Sequence, residues 1–170
     1  PTNGQLFASE AQTLSDRRLA RKLSAELRVK ACADVVNAEP NEPWLIWCDL
    51  NAEGDALTKA IDCAVQVAGA DDIDVKEKRL IDFAEGHARV LVSKPSIAGH
   101  GLNFQHAARM AFVGVTDSYE AYYQAVRREW RFGQTRPVDV HIFASKAEGA
   151  VLSNIKRKEA EAAEMAEQLS

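Results

Sequence analysis

Residues 89–143 have the sequence RVLVSKPSIAGHGLNFQHAARMAFVGVTDSYEAYYQAVRREWRFGQTRPVDVHIF, and this stretch decides the fold. It contains three short apolar runs rich in β-branched and aromatic residues, at Val90–Val92, Met110–Val115 and Val138–Phe143. Gly, Pro, Asp or Ser bounds each run, as is typical of short strands. The sequence therefore predicts three strands, and the alternation in the third predicts that it is half exposed.

A helix is predicted between the second and third strands, over Ser118–Trp130. Asp117 can cap its first turn, and Glu120, three residues later, can return the hydrogen bond of a capping box. One face of this helix carries an amide and two guanidiniums at intervals of four and three residues: Gln124, Arg128 and Arg131. We therefore expect two fixed positive charges together at the end of the helix.

Two interpretations of these arginines are open. Arginines in the last turn of a helix commonly complement the helix dipole and do nothing more. However, four arginines lie close together against the single acid Glu129, in a chain of formal charge −4: Arg127, Arg128, Arg131 and Arg136. The planar guanidinium fork suits phosphate, so this cluster is also a candidate anion site.

Two motifs in this stretch resemble those of superfamily-two helicases. QAVRREWRFGQTRPVDVHI, residues 124–142, is similar to their sixth motif in the Gln-x-x-x-Arg-x-x-Arg-x-Gly-Gln form of the SWI/SNF-like DNA translocases. VSKPSIAGHGLNF, residues 92–104, resembles their fifth motif, and the run from Trp44 onward resembles phage and prophage members of that group. The resemblance covers the last three-quarters of the chain and implies the second of two RecA-like domains of an ATP-driven nucleic-acid motor.

The resemblance also implies roles for individual residues. Arg128 and Arg131 would be catalytic, acting as arginine fingers on ATP bound by a first domain that this chain lacks. The residues expected to approach the nucleotide are Gly101, Asn103 and Gln124. Those expected to contact the nucleic-acid backbone are Ser93, Lys94 and Gly99. Without the motifs, Gly99 and Gly101 would be expected only to turn the chain.

The chain lacks two features of a complete motor. No Gly-Lys pair occurs, which excludes a G-x-x-x-x-G-K-[ST] loop, and no Asp-Glu pair supplies the metal-binding acid. ATP and Mg²⁺ are therefore expected in a full-length parent and not on this fragment alone. The alternative is a scaffolding or regulatory domain with a helicase-like fold. A dinucleotide site is not favoured, because Phe104 occupies the position of the third glycine.

Composition limits the class of protein. A chain of 170 residues fits one domain, and its formal charge of −4 argues against a wholly basic nucleic-acid module. The three isolated cysteines include no C-x-x-C pair, which favours a reducing cytoplasm over a disulfide framework or a zinc knuckle. The sequence shows neither an apolar run of about 18 residues nor a signal-peptide layout, so no membrane partner is expected. The start at Pro1 favours a fragment or a processed chain.

The rest of the chain alternates strands and helices. Trp44–Cys48 is a continuous apolar run typical of a buried parallel strand, and Val65–Ala68 is a second short run. Three helices are predicted around them: Ser15–Asn37, with Leu19, Leu23 and Leu27 on one stripe; a helix capped by Asn51 and bearing Leu57 and Ile61; and Val75–Gly86, with Leu80 and Phe83 facing inward. This order predicts an α/β fold with a mostly parallel sheet and helices on both faces.

Together with the resemblance, the pattern predicts a three-layer RecA-like domain with additional N- and C-terminal helices. The predicted divisions are an N-terminal tail and helical extension over 1–43, a RecA-like helicase C-terminal core over 44–145 and a C-terminal helix over 146–170. The expected partners are nucleic acid, with DNA favoured, and the missing first RecA-like domain.

Overall fold

A computed structural model gives the fold, and it describes residues 14–97, 104–114, 135–144 and 149–169. Within these residues the elements follow one another in the order α1 (Leu14–Asn37), β1 (Trp44–Cys48), α2 (Asn51–Ala60), β2 (Ala64–Val67), α3 (Ile73–Ala84), β3 (Val90–Ser93), β4 (Arg109–Val113), β5 (Asp139–Phe143) and α4 (Gly149–Leu169). The predicted helix over 118–130 lies outside the described residues.

The five strands form one sheet in the order β2-β3-β1-β4-β5, and every neighbouring pair is parallel. Strand β1 is central, with Trp44 opposite Val90 on one side and Arg109 on the other. Because all strands run the same way, their carboxyl ends meet at one edge of the sheet, which we call the carboxyl edge, and their amino ends meet at the opposite amino edge. The predicted α/β fold is confirmed.

Helices α1 and α2 cover one face of the sheet. Four residues of α1 enter a buried cluster at helical spacing: Val29, Cys32, Ala33 and Val36. Leu57 of α2 joins them, and they pack on Trp44 and Ile46 of β1. This spacing of three and four residues keeps one stripe of α1 against the sheet. Helix α1 therefore shares a core with the strands, while the division predicted at residue 43 stays a prediction.

Helix α3 covers the other face. Phe83 is fully buried and meets Phe104 edge to face, with 5.2 Å between ring centroids. Leu45 and Met110 from the strands complete this second cluster. Alternate residues of β1 thus face opposite helical layers, which is why the whole run is apolar. The three-layer arrangement is confirmed.

Most predicted strands and helices are confirmed to within a few residues, but two details are wrong. Leu27 was expected on the buried stripe of α1, yet it is 71% exposed because the helix turns Arg28 and Val29 toward the core. Asn51 was expected to cap α2, yet it is the first helical residue, and Leu50 occupies the cap. The prediction that Gly86 ends α3 holds, since its φ of 82° follows directly after the helix.

Candidate functional site

The carboxyl edge brings together polar residues that are far apart in the sequence. Ser93 ends β3 and Lys94 follows it, Asp49 follows β1, and Gly114 follows β4. Glu53 lies in the first turn of α2, directly after β1. Ligands of open parallel sheets commonly bind at this edge, where the strands end and the loops begin. This edge is therefore the candidate functional site.

Ser93 is held within the sheet. The residue is 2% exposed, and its Oγ donates a hydrogen bond to the Val67 carbonyl at 2.8 Å. The Ser93 carbonyl in turn lies 3.6 Å from the Cys48 Sγ. The hydroxyl thus fastens the end of β3 to β2. Its predicted contact with nucleic acid stays a prediction.

Lys94 begins the turn after β3. Its side chain is half-buried, and its carbonyl accepts a hydrogen bond from the Ile97 N–H at 3.0 Å. Burial raises the pKa of the neighbouring Cys48 thiol to about 12, with Glu53 and Asp49 adding to the rise and Lys94 opposing it. Cys48 is therefore a neutral thiol, and the ammonium of Lys94 is close enough to influence this edge of the sheet electrostatically.

Glu53 and Arg28 form a buried ion pair at the same edge. Their side chains are 0% and 4% exposed, and Arg28 Nη2 lies 3.4 Å from Glu53 Oε2. Glu53 Oε1 accepts a hydrogen bond from the Leu50 N–H at 3.1 Å, and Arg28 Nη1 donates to Ser24 Oγ. Sequence reasoning missed this pair. The position of Glu53 could have been found from the sequence, because a carboxylate at the third residue of a helix can accept a hydrogen bond from the N–H of the capping residue. No local pattern marks Arg28, which lies 25 residues earlier in the sequence.

Six of the predicted site residues lie outside the described residues, in 98–103 and 115–134: Gly99, Gly101, Asn103, Gln124, Arg128 and Arg131. The described chain enters the first of these stretches from the turn at Ile97 and enters the second from Gly114. Both entry points lie at the carboxyl edge. The roles predicted for these six residues stay predictions.

Of the four arginines in the predicted cluster, Arg136 is the one that falls within the described residues. It lies three residues before β5, at the amino edge, where its Nη2 contacts both carboxylate oxygens of Glu42 at 2.9 and 3.0 Å. Arg109 lies at the same edge and pairs with Glu39 at 3.0 Å and with Asp139 at 3.1 Å. These pairs tie the loop after α1 to the strands. Arg136 pairs with the Glu42 carboxylate here, and the anion-binding role expected for the four arginines stays a prediction.

Two negative findings apply to the described part of the chain. No group of three or more His, Cys, Asp or Glu side chains within it is arranged to hold a metal ion. Among its helices, none is long and apolar enough to cross a membrane.

An all-parallel sheet between two helical layers, with polar groups gathered at its carboxyl edge, defines an α/β domain of the RecA-like type. The chain matches the helicase conserved C-terminal domain family over residues 27–133. This match spans more than half of the chain, and the chain therefore belongs to the helicase C-terminal domain family. No curated protein sequence matches it significantly.

Solved structures share the fold. The C-terminal part of the Fun30 ATPase domain superposes with a TM-score of 0.64 at 17% identity, covering 75% of this chain and 43% of that one. The C-terminal domain of the DEAD-box protein Dbp5 gives a TM-score of 0.67 at 14% identity, covering 79% of each chain. The chain thus spans less than half of the Fun30 structure. At these identities the likeness establishes the fold alone.

Proposed function

We propose that this chain is the second motor domain of an ATP-dependent helicase or DNA translocase of the SWI/SNF-like type. One observation carries the proposal: the family match over 27–133 contains the whole fifth motif-like stretch and most of the sixth. Support also comes from the described residues, since both stretches are entered from the carboxyl edge, where ligands of parallel sheets gather.

In this proposal the chain completes a nucleotide site that a first domain provides. ATP with Mg²⁺ fits that first domain better than this chain, because the chain has no Gly-Lys pair for a phosphate-binding loop. The nucleotide supplies the phosphoryl group that is transferred. Gly101, Asn103 and Gln124 approach it from this side of the interface, while Arg128 and Arg131 face the phosphates.

The two arginines act on the transition state. Negative charge spreads over the transferring phosphoryl group, and an arginine inserted from a neighbouring domain is worth roughly 10³ to 10⁵ in rate. Arg131→Lys in the full-length protein should keep the charge yet lose most of the turnover, because a lysine cannot reproduce the planar fork. Arg128→Ala should behave similarly. Nucleotide affinity should change less than turnover in both variants.

Arg136→Ala is the matched control. Arg136 pairs with Glu42 at the opposite edge of the sheet, so its loss should leave turnover close to that of the parent. Steady-state ATPase kinetics at saturating DNA, with thermal melts of each variant, make the comparison. Near-parental turnover by well-folded Arg128 and Arg131 variants would show that these arginines only complement a helix dipole.

Nucleic acid is the proposed track, with DNA favoured, and Ser93, Lys94 and Gly99 are the proposed backbone contacts. The isolated chain should bind DNA weakly and without sequence preference, and its affinity should fall steeply as salt rises. Fluorescence titrations of single- and double-stranded DNA at two salt concentrations test this. Sequence-selective or salt-independent binding contradicts it, as does measurable DNA-stimulated ATP hydrolysis by the pure chain.

A further inference from the structure

The buried ion pair of Arg28 and Glu53 is by itself weak evidence for a stabilising role. The two side chains are 4% and 0% exposed, so both charges have been removed from water. Burying a pair of charges is costly, and apolar side chains of similar volume often replace such a pair without loss of stability. The place of the pair in the fold points to a role in addition to stability.

The Glu53 carboxylate lies beside the residue at which the chain leaves β4. A Cβ atom added to Gly114 would lie 3.1 Å from Glu53 Oε2, a tight approach that glycine avoids. Gly114 has a φ of 79°, and its N–H donates a hydrogen bond to the Phe143 carbonyl at 3.2 Å. Arg28 from α1 and the Leu50 N–H hold the carboxylate in place. Three elements therefore meet at one carboxylate.

We propose that Glu53, held by Arg28, is a positioning residue that fixes the direction in which the chain leaves β4 at Gly114. The sequence that follows contains Arg128 and Arg131, so the pair would set the starting point of the stretch that carries them. The effect on turnover rests on the proposed function, whereas the effect on Gly114 does not.

The test compares single and double variants. Arg28→Met removes the guanidinium that pairs with the buried Glu53 charge, and Glu53→Gln removes the charge that pairs with Arg28, so each should lower the melting temperature. The double variant Arg28→Met/Glu53→Gln removes both charges while the glutamine oxygen can still accept from the Leu50 N–H. It should recover most of the lost melting temperature. A pair that only stabilises the fold would then behave like the parent in every other measurement.

Two readouts separate positioning from stability. In the isolated chain, NMR-detected exchange of the Gly114 amide should be about tenfold faster in the double variant than in the parent. In the full-length protein, the double variant should lower kcat about tenfold with KM for ATP changed less than about twofold, as expected for misplaced catalytic groups.

A matched control lies at the other end of the same strand. Arg109, the first residue of β4, pairs with Glu39 at 3.0 Å at the amino edge. The double variant Arg109→Met/Glu39→Gln also removes an ion pair between β4 and the loop after α1, together with the pair of Arg109 with Asp139. It should change neither the Gly114 exchange nor kcat.

The outcomes are distinguishable. Parental Gly114 exchange in a well-folded Arg28→Met/Glu53→Gln variant overturns the positioning of Gly114, whatever the ATPase assay shows. Faster exchange with parental kcat overturns the link from this pair to turnover. A full-length parent without ATPase activity refutes the proposed function and leaves the Gly114 result as a separate test of the positioning.

Discussion

Arg89 offers the strongest test of how the amino edge is held together. Its Nη1 donates to three backbone carbonyls in the last turn of α1 and the loop after it: those of Glu39 at 3.0 Å, Glu42 at 3.2 Å and Val36 at 3.4 Å. Its Nη2 also lies 3.4 Å from the Asp62 carbonyl. Arg89→Met keeps the aliphatic stem and removes every one of these donors.

The magnitude follows from the geometry. Two of the four contacts are short, and a hydrogen bond from a charged donor contributes about 1.5–3 kcal/mol when buried. The side chain is only half-buried, and the Val36 and Glu39 carbonyls each accept another backbone N–H. We therefore expect the free energy of unfolding to fall by about 2–3 kcal/mol, which for a chain of this size lowers the melting temperature by about 4–12 °C.

Urea denaturation followed by circular dichroism measures this change. Arg157→Met is the matched control, because Arg157 pairs with Glu161 on the exposed surface of α4 at 3.1 Å, with side chains 61% and 58% exposed. Its loss should cost about 0.5 kcal/mol or less. Arg89→Lys should fall between the parent and Arg89→Met, since one ammonium cannot reach all four carbonyls. If Arg89→Met unfolds at the same urea concentration as Arg157→Met, the argument that the Arg89 hydrogen bonds stabilise the amino edge is refuted.

Three further predictions concern backbone strain, pH and thiol reactivity. Gly86→Ala and Gly114→Ala both place a side chain at positive φ, which costs about 1–2 kcal/mol each. Only Gly114→Ala also crowds the Glu53 carboxylate, so it should lower the free energy of unfolding more than Gly86→Ala in urea melts. Equal losses of unfolding free energy in the two variants would contradict this. Burial lowers the pKa of His106 from 6.5, so as the pH drops the unfolded chain binds a proton at this residue before the native chain does. The free energy of unfolding should therefore fall as pH drops below about 6.5, and it should fall less steeply in His106→Phe. Identical slopes of unfolding free energy against pH in the parent and the variant would count against this. Iodoacetamide should label the native chain at Cys63 alone, because the thiols of Cys32 and Cys48 are buried and their pKa values are raised to about 12. A second labelled cysteine in mass spectra of the native chain would disprove this.

The strands were predictable because their signal is local. Trp44–Cys48 and Val90–Val92 are apolar runs bounded by turn residues, and each forms a buried strand of the sheet. The end of α3 at Gly86 was predictable for the same reason, since a glycine after a helical pattern commonly takes positive φ. Such features depend on neighbours in the sequence and need no knowledge of distant contacts.

The buried stripe of α1 was not predictable in the same way. Leu27 is more apolar than Arg28, and hydrophobicity alone favoured Leu27 for the core. The fold reversed this order, because Arg28 finds the Glu53 carboxylate in the interior while Leu27 remains in solvent. Val29, Cys32, Ala33 and Val36 form the stripe that faces the sheet, and Arg28 beside it is buried with a partner 25 residues away.

The sequence by itself determined the alternation of strands and helices, the parallel sheet that follows from it and the motifs by which the chain resembles helicases. Only the tertiary structure decided which charges meet: Arg136 with Glu42, 94 residues apart, and Arg28 with Glu53. It also decided that the Ser93 hydroxyl is held by Val67. The physical reason is that periodicity and turn chemistry act over a few residues, whereas the pairing of buried or clustered charges depends on distances that exist only once the sheet has formed.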